Sequence, residues 1–86
     1  MGRTNPTYRD QLRRLEEEWD DYRRVLRRED QLHFERLFVH ARNHADAAGV
    51  VNHPQPVVSA LMSICLEQER RISDLEAELE QVERAE

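Results

Sequence analysis

The sequence predicts an all-α protein: two or three helices folded as an antiparallel hairpin or bundle, the last of them a long coiled-coil helix. Three observations carry this. Apolar residues recur at spacings of three and four along most of the chain. Only two Gly and three Pro punctuate 86 residues, so sharp turns are scarce. Charged residues reach 36% against 38% hydrophobic, which suits amphipathic helices and a thin core. The whole chain reads as a single helical domain, residues 1–86. It divides into an N-terminal arm (1–5), a helical hairpin or bent helix (6–48), a linker (49–55) and a coiled-coil helix (56–86).

The first helix has two possible starts. Asn5 followed by Pro6 reads as a cap and a first helical residue, since proline needs no amide partner there. Thr7 with Asp10 offers a Thr-x-x-acid capping box. Tyr8, Leu12, Leu15, Trp19, Tyr22 and Leu26 then follow at spacings of 4, 3, 4, 3 and 4. That is a heptad seam, packed on one side against another helix. Trp19 reads first as a core aromatic of this seam and second as a contact for another chain.

After Leu26 the repeat slips. The heptad predicts apolar residues near 29/30 and 33, where Glu29, Asp30 and His33 stand. Apolar positions resume at Phe34, Leu37, Phe38, Ala41, Ala45 and Ala48. The slip favours two packed helices over one bent helix, with Asp30 as the cap of the second. Gly49 is the expected left-handed residue that closes it. Pro54 and Pro56 forbid a helix through the linker, and Pro56 suits the first turn of the third helix.

The third helix has two unlike parts. Val57 to Leu66 is apolar on nearly every side, which predicts burial among several helices. Trp19, Phe34, Phe38, Leu61, Ile64 and Cys65 are therefore the expected core. Beyond Glu67 only Ile72, Leu75, Leu79 and Val82 are strongly apolar, at spacings of 3, 4 and 3. Traced backwards, the same repeat meets Gln68, Cys65, Leu61 and Val58. Gln68 becomes a polar seam residue of the kind that fixes register. These features predict a homo-oligomer, a dimer or higher, or a module that binds another protein. Its interface residues would be Leu12, Leu15, Trp19, Tyr22, Leu61, Ile72, Leu75, Leu79 and Val82.

All 13 basic residues are Arg, and the net charge is −5. The first 48 residues are neutral, with ten Arg and ten acids, so the acid excess lies in the last 38. Such a balance disfavours general nucleic-acid binding. Arg23, Arg24, Arg27 and Arg28 still form a local basic patch able to grip phosphates, which makes a nucleic-acid-binding or regulatory protein the alternative reading. His40 and His44, four apart on one helical face, could hold a metal ion, although a second cysteine and an H-E-x-x-H arrangement are missing. No Gly-rich phosphate loop, nucleophile elbow or guaranteed Cys-His pair is present. The sequence therefore predicts no enzymatic activity and no cofactor. A lone Cys65 suits a reducing compartment. No apolar run approaches the ~18 residues of a membrane span, and the N-terminus lacks the apolar stretch of a signal peptide, so a cytoplasmic protein is expected.

Gly2-Arg3-Thr4-Asn5-Pro6-Thr7-Tyr8-Arg9, Asp30-Gln31 with His33-Phe34, His44-Ala45-Asp46-Ala47-Ala48 and Leu66-Glu67-Gln68-Glu69 together resemble a family of small helical proteins of halophilic and methanogenic archaea. The resemblance covers nearly the whole chain. It implies an archaeal cytoplasmic origin, consistent with the all-Arg usage, and assigns no activity or site residue.

Overall fold

The computed structural model describes residues 7–86, so the expected arm and the Asn5-Pro6 cap lie outside the described residues. The described chain is helical without strands. Five segments appear where two or three helices were expected: α1 (Tyr8–Glu18), α2 (Asp20–Val25), α3 (Arg28–Asn43), α4 (Ala45–Val51) and α5 (Pro56–Ala85). The difference arises at two single residues. Trp19 (φ −96°, ψ 9°) separates α1 from α2, and His44 (φ −115°, ψ 19°) separates α3 from α4. Hydrogen bonding continues up to both break residues: Trp19 O accepts from Arg23 N–H and His44 O from Ala48 N–H, each at 3.1 Å.

The start of α1 is the Thr7 capping box. Asp10 N–H donates to Thr7 Oγ1 at 3.1 Å, and Thr7 N–H donates to the Asp10 carboxylate at 3.3 Å. This reciprocal pair satisfies two donors that the first turn would leave open. The corner between α2 and α3 falls at Leu26 and Arg27, both extended, and Arg27 is the N-cap of α3. The expected cap at Asp30 is therefore corrected: Asp30 lies inside the first turn, where its charge favours the helix N-terminus. Gln31 helps hold the corner by donating to Leu26 O at 3.1 Å.

Gly49 does not end its helix. It lies inside α4 at negative φ, and Asn52 (φ 51°, ψ 49°) takes the left-handed position instead. The connection is thereby shortened to 52–55, against the expected 49–55, before Pro56 opens α5. A Cβ on Gly49 would meet Tyr8 Cβ at 3.8 Å, an ordinary contact. Gly49→Ala is expected to stabilise the protein by about 0.5–1 kcal/mol in denaturant titration, because the helix loses its most flexible interior residue. A left-handed Gly49 would give the opposite sign.

The core sits where α1, α3, α4 and α5 meet. It contains Tyr8, Leu12, Phe38 and Ile64 with Ala41, Ala45, Ala48 and Ala60, edged by Leu15, Phe34 and Leu37. Four of these eight buried residues are alanine, so the helices approach closely around few bulky side chains. Residues 57–66 were expected to be enclosed on all sides. Only one face is buried, through Ser59, Ala60, Ser63 and Ile64. Leu61, Met62 and Leu66 are exposed, and so is Cys65. Trp19 is likewise 44% exposed rather than buried. From Gln68 to Glu86 every residue of α5 is exposed, and the molecule measures 66 × 33 × 17 Å.

Candidate functional site

The buried face of α5 advances through Ala60, Ile64 and Glu67, spaced by four and three. Its apolar repeat advances one residue later, through Leu61, Cys65, Gln68, Ile72, Leu75, Leu79 and Val82. One residue is about 100° of helical rotation. The repeat therefore runs beside the core-facing side, and the chain's own helices do not cover it. Leu61, Ile72, Leu75, Leu79 and Val82 are 50–62% exposed. Such a stripe on an otherwise charged helix loses its hydrophobic free energy unless another surface covers it.

Near the body this stripe meets a cleft. Leu61 and Val57 of α5 line it with Leu15, Trp19, Phe34 and Leu37 from the other helices, and its walls are almost wholly apolar. An aromatic series organises one wall. Trp19 and Tyr22 meet edge to face at 5.3 Å, Tyr22 and Phe34 are tilted at 5.3 Å, and Phe34 and Phe38 meet edge to face at 5.4 Å. The series runs from the buried Phe38 to the half-exposed Trp19 and Tyr22. The expected interface residues are thus partly brought together. Leu15, Trp19 and Leu61 converge on the cleft, while Ile72, Leu75, Leu79 and Val82 continue along the free half of α5. Leu12 is a correction: only 2% exposed, it belongs to the chain's own core and cannot touch another chain.

The basic patch divides. Arg23 pairs with Asp20 (3.0 Å) and Glu35 (3.4 Å), and Arg24 pairs with Asp20 (2.8 Å). Arg27 and Arg28 are exposed at the α2–α3 corner, with no carboxylate partner among the described residues. Half of the four-arginine phosphate grip is therefore already neutralised locally.

The two histidines diverge in role. His40 is buried, and its Nδ1 has no hydrogen-bond partner. Burial lowers its pKa, and the nearby Arg71 cation acts in the same direction. His44 Nε2 lies 2.9 Å from Glu67 Oε1 and must donate, because an ionised carboxylate carries no proton. Among the described residues, no three His, Cys, Asp or Glu side chains gather as a metal site.

Glu67 is the feature that sequence reasoning missed. It is 2% exposed, and its carboxylate accepts hydrogen bonds from Arg70, Arg71 (3.0 Å) and His44. Hydrogen bonds from Arg70 and then His44 hold its pKa down at about 2. A buried carboxylate so fully partnered fixes α5 against the α3–α4 junction. The signal was its spacing, three after Ile64 and seven after Ala60, on a face otherwise made of small and apolar residues.

No helix among the described residues is long and apolar enough to cross a membrane. A family model described as a domain of unknown function (DUF8156) matches residues 1–86. No curated protein and no solved structure matches the chain.

Proposed function

The chain belongs to the DUF8156 family across residues 1–86, and from its own geometry we propose that it is a non-enzymatic helical oligomerisation and protein-interaction module. Its partner is a second copy of itself. One observation carries the reading: the a/d stripe of α5 is at least half exposed along its entire free length. The surface area supports it. The chain exposes 7105 Å², about 1,700 Å² more than a compact monomer of its mass. A standard interface takes about 800 Å² from each partner, so the excess is ample for one. The all-Arg cation set and single thiol suit an archaeal cytoplasm, the origin that the sequence resemblance implies.

Light scattering tests this. The wild-type mass is expected to exceed the 10.3 kDa of one chain. Leu75→Glu with Leu79→Glu should reduce it to that of a monomer, since charges then oppose each other across the seam. A wild-type monomer, or a double variant of unchanged mass, would overturn the reading.

The nucleic-acid alternative has one observation behind it, the exposed Arg27 and Arg28, which have no carboxylate partner among the described residues. Phosphate binding would fall steeply with salt. The proposed module is expected to show no measurable duplex-DNA binding near physiological salt. Submicromolar binding, lost when Arg23, Arg24, Arg27 and Arg28 all become Gln, would replace it with the alternative.

A further inference from the structure

We infer that two copies associate through α5 as a parallel, in-register, two-stranded coiled coil spanning Val58 to Val82, with their bodies side by side at one end. The inference rests on the oligomerisation reading and adds its geometry. The 3-4 spacing assigns Val58, Cys65, Ile72 and Leu79 to a positions and Leu61, Gln68, Leu75 and Val82 to d positions. β-branched residues at a with leucine at d favour two parallel strands; Val58 with Leu61 and Ile72 with Leu75 follow that rule, while Leu79 with Val82 at the far end reverses it. The body does not block the repeat, because Leu61, Cys65 and Gln68 stay exposed where α5 leaves the core.

Gln68 separates the orientations. In the parallel arrangement it faces the second copy's Gln68, and the two amides can hydrogen-bond to each other. In the antiparallel register that covers the whole seam, centred on residue 70, it faces Ile72 and its amide is left without a partner. Charge agrees. The parallel arrangement sets Arg71 against the second copy's Glu76, an attractive g–e pair made twice, with Glu78 against Glu83 as the opposing repulsion. The centred antiparallel register sets Arg71 against Arg71 and Glu69 against Glu69, with no attractive pair. Sliding the antiparallel helices by one heptad restores one attraction, Arg71 to Glu78. It also places Gln68 against Leu79 and the charged Glu86 against Leu61, beside the apolar cleft. Only the parallel arrangement puts Leu61 against Leu61 and brings the two Trp19-lined clefts to the same end.

Cys65 is a built-in reporter of this geometry. Matching a residues of a parallel pair face each other, within the Cα separation of roughly 4.4–6.8 Å that a disulfide spans. In these two antiparallel registers the two thiols are about 15 Å or more apart along the axis; the opposite one-heptad slide brings them to about 4.5 Å, but it sets position 79 far beyond its counterpart. The full chain is oxidised with copper–phenanthroline at a concentration where scattering shows the oligomer, then resolved on a non-reducing gel. Near-complete conversion to a species of twice 10.3 kDa is expected. Conversion should be lost in the Leu75→Glu, Leu79→Glu variant at the same concentration. Cys65→Ser combined with Leu79→Cys, which moves the thiol to another a position, should also cross-link at a concentration where scattering shows that variant as a dimer. A dimer whose thiols fail to link in either version overturns the parallel order and leaves the oligomerisation reading standing. A dissociated wild-type chain overturns both. A trimer or tetramer overturns the two-stranded arrangement.

Discussion

Phe38→Ala is expected to cost about 3–5 kcal/mol, the usual range for removing a buried phenylalanine. Phe38 is 6% exposed at the centre of the small core, beside Phe34. Its loss leaves a cavity that the surrounding alanines cannot fill. Ala41, Ala45 and Ala60 have no side-chain torsion with which to move into it. Against a total stability of about 4–13 kcal/mol for 86 residues, much of the margin disappears. Urea unfolding followed by circular dichroism measures the effect, with chain concentration held fixed because association stabilises the folded state. Phe34→Ala is the internal comparison. Its ring is only partly buried, so its loss should be smaller. A cost below about 1 kcal/mol at Phe38 would show that the core lies elsewhere.

The contrast between Phe38 and Trp19 shows how far the pattern of apolar residues could be read. The repeat from Tyr8 to Leu26 correctly marks one face of the first two segments. It treats all positions on that face as equivalent. Tyr8 and Leu12 are buried, Leu15 is half-buried, and Trp19 and Tyr22 are largely open, because the core ends before the α2–α3 corner. Periodicity specifies a face, whereas burial depends on where the neighbouring helices stop. Residues 57–66 fail for a related reason. Their hydrophobicity suggests enclosure, yet the packed face includes Ser59, Ala60 and Ser63, whose small side chains let α5 approach α3. The large residues Leu61, Met62 and Leu66 remain outside. Gly49 and Asn52 show a third limit: either can terminate a helix, and the choice follows from packing of α4 on α1, which local sequence does not report. The Thr7 box and the Pro56 start were legible because both depend on residues adjacent in the chain.

Glu67 leads to the second large expected effect, loss of stability in acid that depends on a single carboxylate. In a linear charge pattern Glu67 resembles Glu69 two residues later, but the structure buries one and exposes the other. Arg70, His44 and Arg71 hold the folded-state pKa of Glu67 at about 2, below its ordinary value of 4.5. The unfolded chain therefore takes up this proton first as pH falls. The stability contributed by the carboxylate is fully present above pH 4.5 and is lost as pH drops from there towards 2. His40 acts at higher pH with the same sign. Burial, together with the nearby Arg71, Arg36 and His44, makes its ring resist protonation in the folded state against the opposing pull of Glu67, so stability begins to fall below pH 6.5. Other carboxylates also titrate, Asp10 and Asp20 among them, and both are lowered by their own hydrogen bonds. The informative quantity is therefore the stability difference between wild type and Glu67→Gln across pH. Glutamine keeps the shape and removes the charge, leaving Arg70 and Arg71 without their shared anion. At neutral pH the variant should be clearly less stable. The difference should shrink from pH 4.5 downwards, as the wild-type carboxylate loses its advantage. Two stability curves that stay parallel from pH 6 to pH 2.5 would show that Glu67 is not held as a buried anion. The clasp between α5 and the α3–α4 junction would then have to rest on packing alone.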